Sequence, residues 1–335
     1  MNKKVTINDI AKLTGVSKST ISNFLNGKFE GMSEKTRNRI QDKIKELDYR
    51  PNRQARALKS SYSSLIGISV TDISNLYTSR LLKGMMERLQ NTKYHTIIMN
   101  SDLDKEYERY NIEKLLDEKV DGIIIQPLSS ESTDYKVIDA SLPIVQVDRY
   151  LQPLIWPAVV SDNLEQSQLL AEKIKEGGYQ RIVVLTPPML NSSTRLSRYE
   201  GIKQVIKGSK IEIEEIYTEE VQGVFSTSQK IWNNIRDFCE DDIKTVIYAF
   251  NGGLLYGVVK ILNDKNISIP EQVGVVGYDD GALGELISPG LTSIVQDPIK
   301  IGYQAADLLV NNIESKKPKA ELIVVESELK IRNSL

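Results

Sequence analysis

Histidine and cysteine are almost missing from this 335-residue chain, which has one of each, His95 and Cys239. A single cysteine excludes an internal disulfide and suits a reducing compartment. Cys239 falls on an apolar helical face and reads as core. The lone histidine sits in a strand-like run, where such a residue is usually structural. There is no Ser-His-Asp set, no metal-ligand cluster and no glycine-rich phosphate loop. Carboxylates are plentiful, but no spacing singles out a catalytic pair. An enzyme, a cofactor and a bound metal are therefore not expected. Long apolar runs are missing too, and nothing approaches the roughly 20 residues of a membrane span. The lysine-bearing N-terminus has no apolar stretch behind it, so no secretory signal is expected. The expected location is the cytoplasm, with no membrane partner.

Charge is present in both signs but unevenly placed. The net charge is −2, yet residues 1–60 carry 14 Lys and Arg against 6 Asp and Glu, a balance of +8. The remainder carries 29 basic and 39 acidic residues, a balance of −10. A basic head on an acidic body suits a protein that docks one end on nucleic acid. The length fits two or three domains.

The head has a readable local grammar. Thr6 is an N-cap candidate with Asp9 three residues on. Ile7, Ile10 and Ala11 form one apolar helical face. Gly15 suits the left-handed stop of that helix. Ser17 caps a second helix whose Ile21, Phe24 and Leu25 face the same small core. Ser33 restarts a third, striped by Ile40, Ile44 and Leu47. Two short helices around a tight turn make a helix-turn-helix, whose second helix enters the major groove. Its outward face is Lys18, Ser19, Ser22 and Asn23. A capped helical hairpin without any DNA role has the same spacing.

The following residues, Tyr49-Arg50-Pro51-Asn52-Arg53-Gln54-Ala55-Arg56-Ala57-Leu58, add a second motif. With the run from Thr6 to Asn26 they resemble the lactose-repressor (LacI/GalR) family of bacterial transcription regulators. The resemblance implies an all-α helix-turn-helix headpiece joined to an α/β periplasmic-binding-protein-like core of two doubly wound lobes. It gives a headpiece over 1–48, a hinge helix and linker over 49–61, and a core over 62–335. Lobe 1 would take about 62–161 and 291–321, and lobe 2 about 162–290 and 322–335. Crossings between lobes are expected near Ser161–Asp162, Gly290–Ser293 and Ala320–Leu322. The chain beyond Leu65 agrees in its own terms. Apolar runs such as Leu65–Val70, Gly122–Gln126, Arg181–Leu185 and Thr245–Phe250 alternate with amphipathic stretches such as Glu106–Glu118 and Leu254–Asp264. That alternation predicts parallel sheets covered on both faces.

Two sets of site residues follow from the resemblance. For double-stranded operator DNA, Lys18, Ser19 and Asn23 occupy base-reading positions. Thr6, Ser17, Thr20, Ser22, Asn26 and Ser33 suit phosphates, although each also serves as a simple cap or turn residue. Asn52, Ala55 and Leu58 belong to the hinge, with Leu58 as an apolar minor-groove wedge. Many members carry Arg where this chain has Asn23, which shifts the preferred base edge from guanine towards adenine. For a small sugar-like effector, the strand ends offer Asp72, Tyr77, Arg149, Arg198, Phe225, Asn251 and Asp279. Many members also carry an acid where this chain has Gly252, so one acceptor is expected to be missing. Two cations in the cleft favour a sugar acid or sugar phosphate. No heptad stripe trails the core, so a homodimer is expected. The function implied is a DNA-binding transcriptional regulator, with repression as the first reading. A periplasmic-type sugar-binding protein and a carbohydrate-active enzyme stay open as alternatives. Effector identity, operator sequence and the sign of the response are not in the sequence.

Overall fold

The computed structural model describes residues 5–25, 27–49, 62–189, 192–219, 228–281, 283–315 and 320–335. Asn26, Asn52, Ala55, Leu58 and Phe225 lie outside the described residues. The chain divides into two compact units, Met1–Ser63 and Ser64–Leu335.

In the first unit, α1 (Ile7–Thr14), α2 (Lys18–Leu25) and α3 (Glu34–Glu46) surround one small core. Thr6 and Asp9 form a reciprocal capping box, with Thr6 N–H donating to Asp9 Oδ2 at 2.8 Å. Gly15 ends α1 in the left-handed region at φ 64°. Ile10, Ile21, Ile40 and Tyr49 are buried together, with Phe24, Leu25, Ile44 and Leu47 packed against them.

The second unit holds two six-stranded sheets. Lobe 1 is built on β1 (Leu65–Val70), β2 (His95–Asn100), β3 (Gly122–Ile125), β4 (Ile144–Val147), β5 (Ala158–Ser161) and β11 (Leu322–Val325). Its order is β11-β5-β4-β3-β1-β2, all parallel, with Leu65 opposite His95 and Val70 opposite Asn100. Helices α4 (Leu76–Leu89) and α10 (Pro298–Ser315) share one apolar cluster with this sheet through Leu81, Met85, Ile301 and Leu309. Helix α5 (Lys105–Asp117) packs Ile112 and Leu115 on a second cluster with Ile123 and Ile125. Each β3 face therefore looks at a different set of helices, and Ile123, Ile124 and Ile125 are all fully buried.

Lobe 2 is built on β6 (Arg181–Thr186), β7 (Glu212–Tyr217), β8 (Thr245–Ala249), β9 (Gly274–Tyr278), β10 (Thr292–Val295) and β12 (Glu328–Lys330). Its order is β12-β10-β9-β8-β6-β7. Helices α6 (Asn163–Glu176) and α7 (Ser193–Ile206) share one cluster with it, and α8 (Ser228–Glu240) and α9 (Gly252–Asp264) another. Cys239 is buried in the second of these. The last pair, β10 with β12, is antiparallel, where the apolar alternation predicts parallel pairing throughout.

The strand lists also fix the crossings. The first passes from β5 to α6 at Ser161–Asp162. The other two correct the expected boundaries. Strand β10 still belongs to lobe 2, so the second crossing is at Gln296–Asp297, not Gly290–Ser293. Strand β11 still belongs to lobe 1, so the third is at Glu326–Ser327, not Ala320–Leu322. Both expected boundaries fall one short strand early. Asp162 then ties the first crossing to the third, accepting from Ser327 N–H at 2.9 Å and from Gln166 Nε2 at 2.8 Å. Among the described residues no helix is long and apolar enough to cross a membrane.

Candidate functional site

The first unit exposes what its sequence placed outward. Lys18, Ser19 and Asn23 are exposed on α2, and Ser22 is half-buried beside them. Ser17 Oγ accepts from Thr20 N–H at 3.1 Å and lies 2.6 Å from Ser19 Oγ. Ser33 Oγ accepts from Thr36 N–H at 3.3 Å. Thr6, Ser17 and Ser33 thus hold helix starts, which is also the geometry that suits a phosphate oxygen.

The second unit contains a cleft of about 200 Å³ at the carboxyl ends of both sheets. It takes in the six sequence-predicted effector residues that fall among the described ones, Asp72, Tyr77, Arg149, Arg198, Asn251 and Asp279. Their environments differ. Asp72 Oδ1 already accepts from Ser74 N–H and Oγ at 2.8 and 2.7 Å, closing its own turn. Asn251 Oδ1 accepts from Leu254 N–H at 2.9 Å and caps α9. Tyr77 is unlike both: among the described residues its buried hydroxyl has only the Ser161 hydroxyl beside it, without full hydrogen-bond geometry. Burial, with the Asp148 and Asp279 charges nearby, holds that hydroxyl well above its usual range. Such a buried donor costs about 1–3 kcal/mol until something accepts from it.

Two carboxylates are turned into the cleft by left-handed backbone, Asp148 at φ 64° and Asp279 at φ 57°. Aspartate tolerates that region better than most residues. Gln126 Nε2 donates to Asp148 Oδ2 at 2.9 Å, while Gln126 Oε1 accepts from Thr71 N–H and Oγ1. The Asp148 carbonyl accepts from Thr194 Oγ1 at 2.7 Å, so the start of α7 bridges the two lobes at the cleft. Gln296 Nε2, in the second crossing, donates to Asp279 Oδ2 at 2.7 Å. Burial pushes Asp279 up to about 6, against the pull of Arg198 and the Gln296 hydrogen bond. The neighbouring Asp280 points elsewhere. It is 1% exposed and pairs with Arg332 at 2.8 Å, which ties β9 to the C-terminal segment.

The arginines are not equivalent. Arg198 is 4% exposed. Its Nε donates to Asn163 Oδ1 at 2.8 Å and its Nη1 to the Phe250 carbonyl. Its guanidinium carbon stands 3.5 Å from the centre of the Tyr278 ring. Two of its five N–H donors, Nε–H and one on Nη1, therefore serve the lobe 2 framework. Arg149 Nε lies 3.5 Å from Asp148 Oδ2. Arg80 and Arg195 also line the cleft, and neither is at a strand end. The strand-end rule could not find Arg80, which sits a full turn inside α4, nor Gln296, which sits in a crossing.

Gly252 has a structural reason. A Cβ there would lie 2.5 Å from the Asp279 carbonyl oxygen. The start of α9 is pressed against the Asp279 loop, and a carboxylate side chain at 252 would force them apart.

A helix-turn-helix unit followed by a two-lobed α/β unit with a polar cleft is the build of a ligand-responsive DNA-binding protein. Residues 6–52 match the bacterial regulatory proteins of the lacI family, and residues 66–317 match the periplasmic binding protein domain. The chain belongs to the lacI family of regulators, with a periplasmic-binding-protein core. It is 29% identical to the HTH-type transcriptional regulator KdgR of Bacillus subtilis, with 100% of both chains covered. A periplasmic binding protein/LacI transcriptional regulator from Alkaliphilus metalliredigens, complexed with D-xylulofuranose, is 26% identical with a TM-score of 0.71. That comparison covers 81% of this chain and 98% of the other. The lac repressor dimer bound to operator and an anti-inducer has the same fold at 21% identity. Its TM-score is 0.84, with 99% of each chain covered.

Proposed function

We propose that this lacI-family regulator acts in the cytoplasm as a homodimeric repressor, released from or directed to its operator by a polyhydroxylated effector held between the core lobes. DNA-binding regulation, not catalysis, is the business of this family. The single observation that carries the effector reading is the cleft itself. It sits where both sheets end and presents two carboxylates, Asp148 and Asp279, beside the buried Tyr77 hydroxyl. Carboxylates accept from sugar hydroxyls, and a ligand oxygen would satisfy Tyr77. Exposed Leu76 and Leu283 give the same cleft apolar walls. The sugar seen in the Alkaliphilus regulator supports the same ligand class. Asp72, Tyr77, Arg149, Arg198, Phe225, Asn251 and Asp279 are the proposed contacts. Among the described residues four arginines and three aspartates line the cleft, which favours a sugar acid or sugar phosphate. A periplasmic-type binding protein has use for the second unit only, and the first unit argues against it. A thermal-shift screen of sugars, sugar acids and sugar phosphates tests the effector class.

On DNA, Lys18, Ser19 and Asn23 would read base edges. Thr6, Ser17, Thr20, Ser22, Asn26 and Ser33 would meet phosphates. Asn52, Ala55 and Leu58 would engage the centre of the site. The +8 balance of residues 1–60 then predicts steep salt dependence. The log–log slope should be about −0.9 per phosphate neutralised, several per protomer. Selection from a random duplex library, followed by titration at several salt concentrations, should return two-fold-symmetric sites with that slope. Asymmetric sites, or affinity indifferent to salt, would remove the DNA reading.

A further inference from the structure

We infer that Arg80 takes the oxyanion of the effector, with the hydroxylated remainder of the ligand turned towards Asp148 and Asp279. This rests on the cleft reading above and adds a specificity residue and a ligand orientation to it.

The argument is one of counter-charges. Arg198 is held by Asn163 Oδ1, the Phe250 carbonyl and the Tyr278 ring. Arg149 faces the Asp148 carboxylate at 3.5 Å. Arg195 Nη1 donates to the Pro188 carbonyl at 3.0 Å. Arg80 is half-buried in the cleft wall on α4, three residues beyond Tyr77 and so on the same side of the helix. Among the described residues it has no ion pair and no side-chain hydrogen bond, although Lys83, on the same helix, pairs with Glu87. A guanidinium with no carboxylate of the protein beside it, in a partly enclosed cleft, can grip a carboxylate or phosphate through two parallel N–H bonds. The two cleft carboxylates repel an anion and accept from hydroxyls. A ligand bearing both kinds of group therefore has one favourable direction, its charged end towards Arg80.

Matched probes test this on the full chain: D-galactose against D-galacturonate for a carboxylate, and D-glucose against D-glucose 6-phosphate for a phosphate. Binding is measured by calorimetry on the unmodified protein, Arg80→Gln, Arg80→Lys and the same-helix control Lys83→Gln. One anionic probe should bind about 10- to 100-fold more tightly than its neutral partner. Arg80→Gln should remove that ratio. Arg80→Lys should keep part of it, and Lys83→Gln all of it. Which pair shows the ratio tells a sugar acid from a sugar phosphate. A ratio that survives Arg80→Gln overturns the inference, as does equal binding of neutral and anionic partners, and in both cases the cleft reading stands. If no probe binds while operator binding is intact, the cleft reading falls and takes the inference with it.

Discussion

Arg198→Ala is expected to destabilise the second unit by about 3 kcal/mol and to abolish the effector response. The side chain is 4% exposed and joins three separate elements: Asn163 at the start of α6, Phe250 after β8 and Tyr278 in β9. Truncation leaves Asn163 Oδ1 and the Phe250 carbonyl without their donor, each worth roughly 1–3 kcal/mol when buried. It also uncovers the stacked Tyr248–Tyr278 pair, whose hydroxyls meet at Ser167. Asp279 supplies a second readout. Its carboxyl stands at about 6 with Arg198 in place, above the ordinary value of about 3.9. A raised carboxyl favours the protonated folded state, so this group's contribution to stability is lost as pH rises from about 4 through about 6. Removing the Arg198 charge pushes Asp279 higher and extends that loss to higher pH. Denaturant titrations at several pH values, with carbon NMR of the Asp279 carboxyl, measure both effects. An Arg198→Ala protein of unchanged stability and unchanged Asp279 titration would mean that the guanidinium is not the hub described here.

The second large effect is expected far from the cleft. Gly84 in α4 and Gly302 in α10 lie where the two helices cross on lobe 1. A Cβ on Gly84 would overlap the Ile299 carbonyl oxygen, and one on Gly302 the Leu81 carbonyl oxygen. These are backbone atoms and cannot rotate aside. Gly302→Ala should therefore push α10 off α4 and loosen Leu81, Met85, Ile301 and Ala305 together. Overpacking of this kind costs about 1–3 kcal/mol, and backbone contact places it at the upper end. The glycine-to-alanine gain in helix propensity, about 1 kcal/mol, opposes only part of it. A melting temperature lowered by several degrees is expected, and an equal loss for Gly84→Ala. A Gly302→Ala protein that melts higher than the parent would show that propensity wins and that the helices have room. Since α10 follows the second crossing and α4 carries Tyr77 and Arg80, the same variants should also weaken effector binding.

The chain announced its local structure because capping and periodicity are properties of neighbours in sequence. Thr6 with Asp9, Gly15, and the stripe of Ile40 and Ile44 specify the first unit without help from the rest. Long buried strands such as Leu65–Val70 and Arg181–Thr186 are legible for the same reason, each carrying four aliphatic side chains within six residues. Asn251 and Asp279, offered by the strand-end rule, line the cleft because both follow parallel strands at their carboxyl ends. Tertiary structure decided the remainder. Strands β10, β11 and β12 have four, four and three residues, too few to show a period, and only their partners assign them to a lobe. Strand β7, with Glu212, Glu214 and Glu215 on an open edge, does not look buried because it is not. Gly84 and Gly302 are poor helix formers on their own and are explained only by each other's helix. The sequence offers Arg198 as an effector contact, and only the fold shows that Asn163, Phe250 and Tyr278 also hold it. Nothing in the sequence marks Arg80, and only the fold sets it in the cleft. A residue's type and its neighbours fix its preferred backbone, whereas its partners across the fold fix which of its charges and donors remain for a ligand.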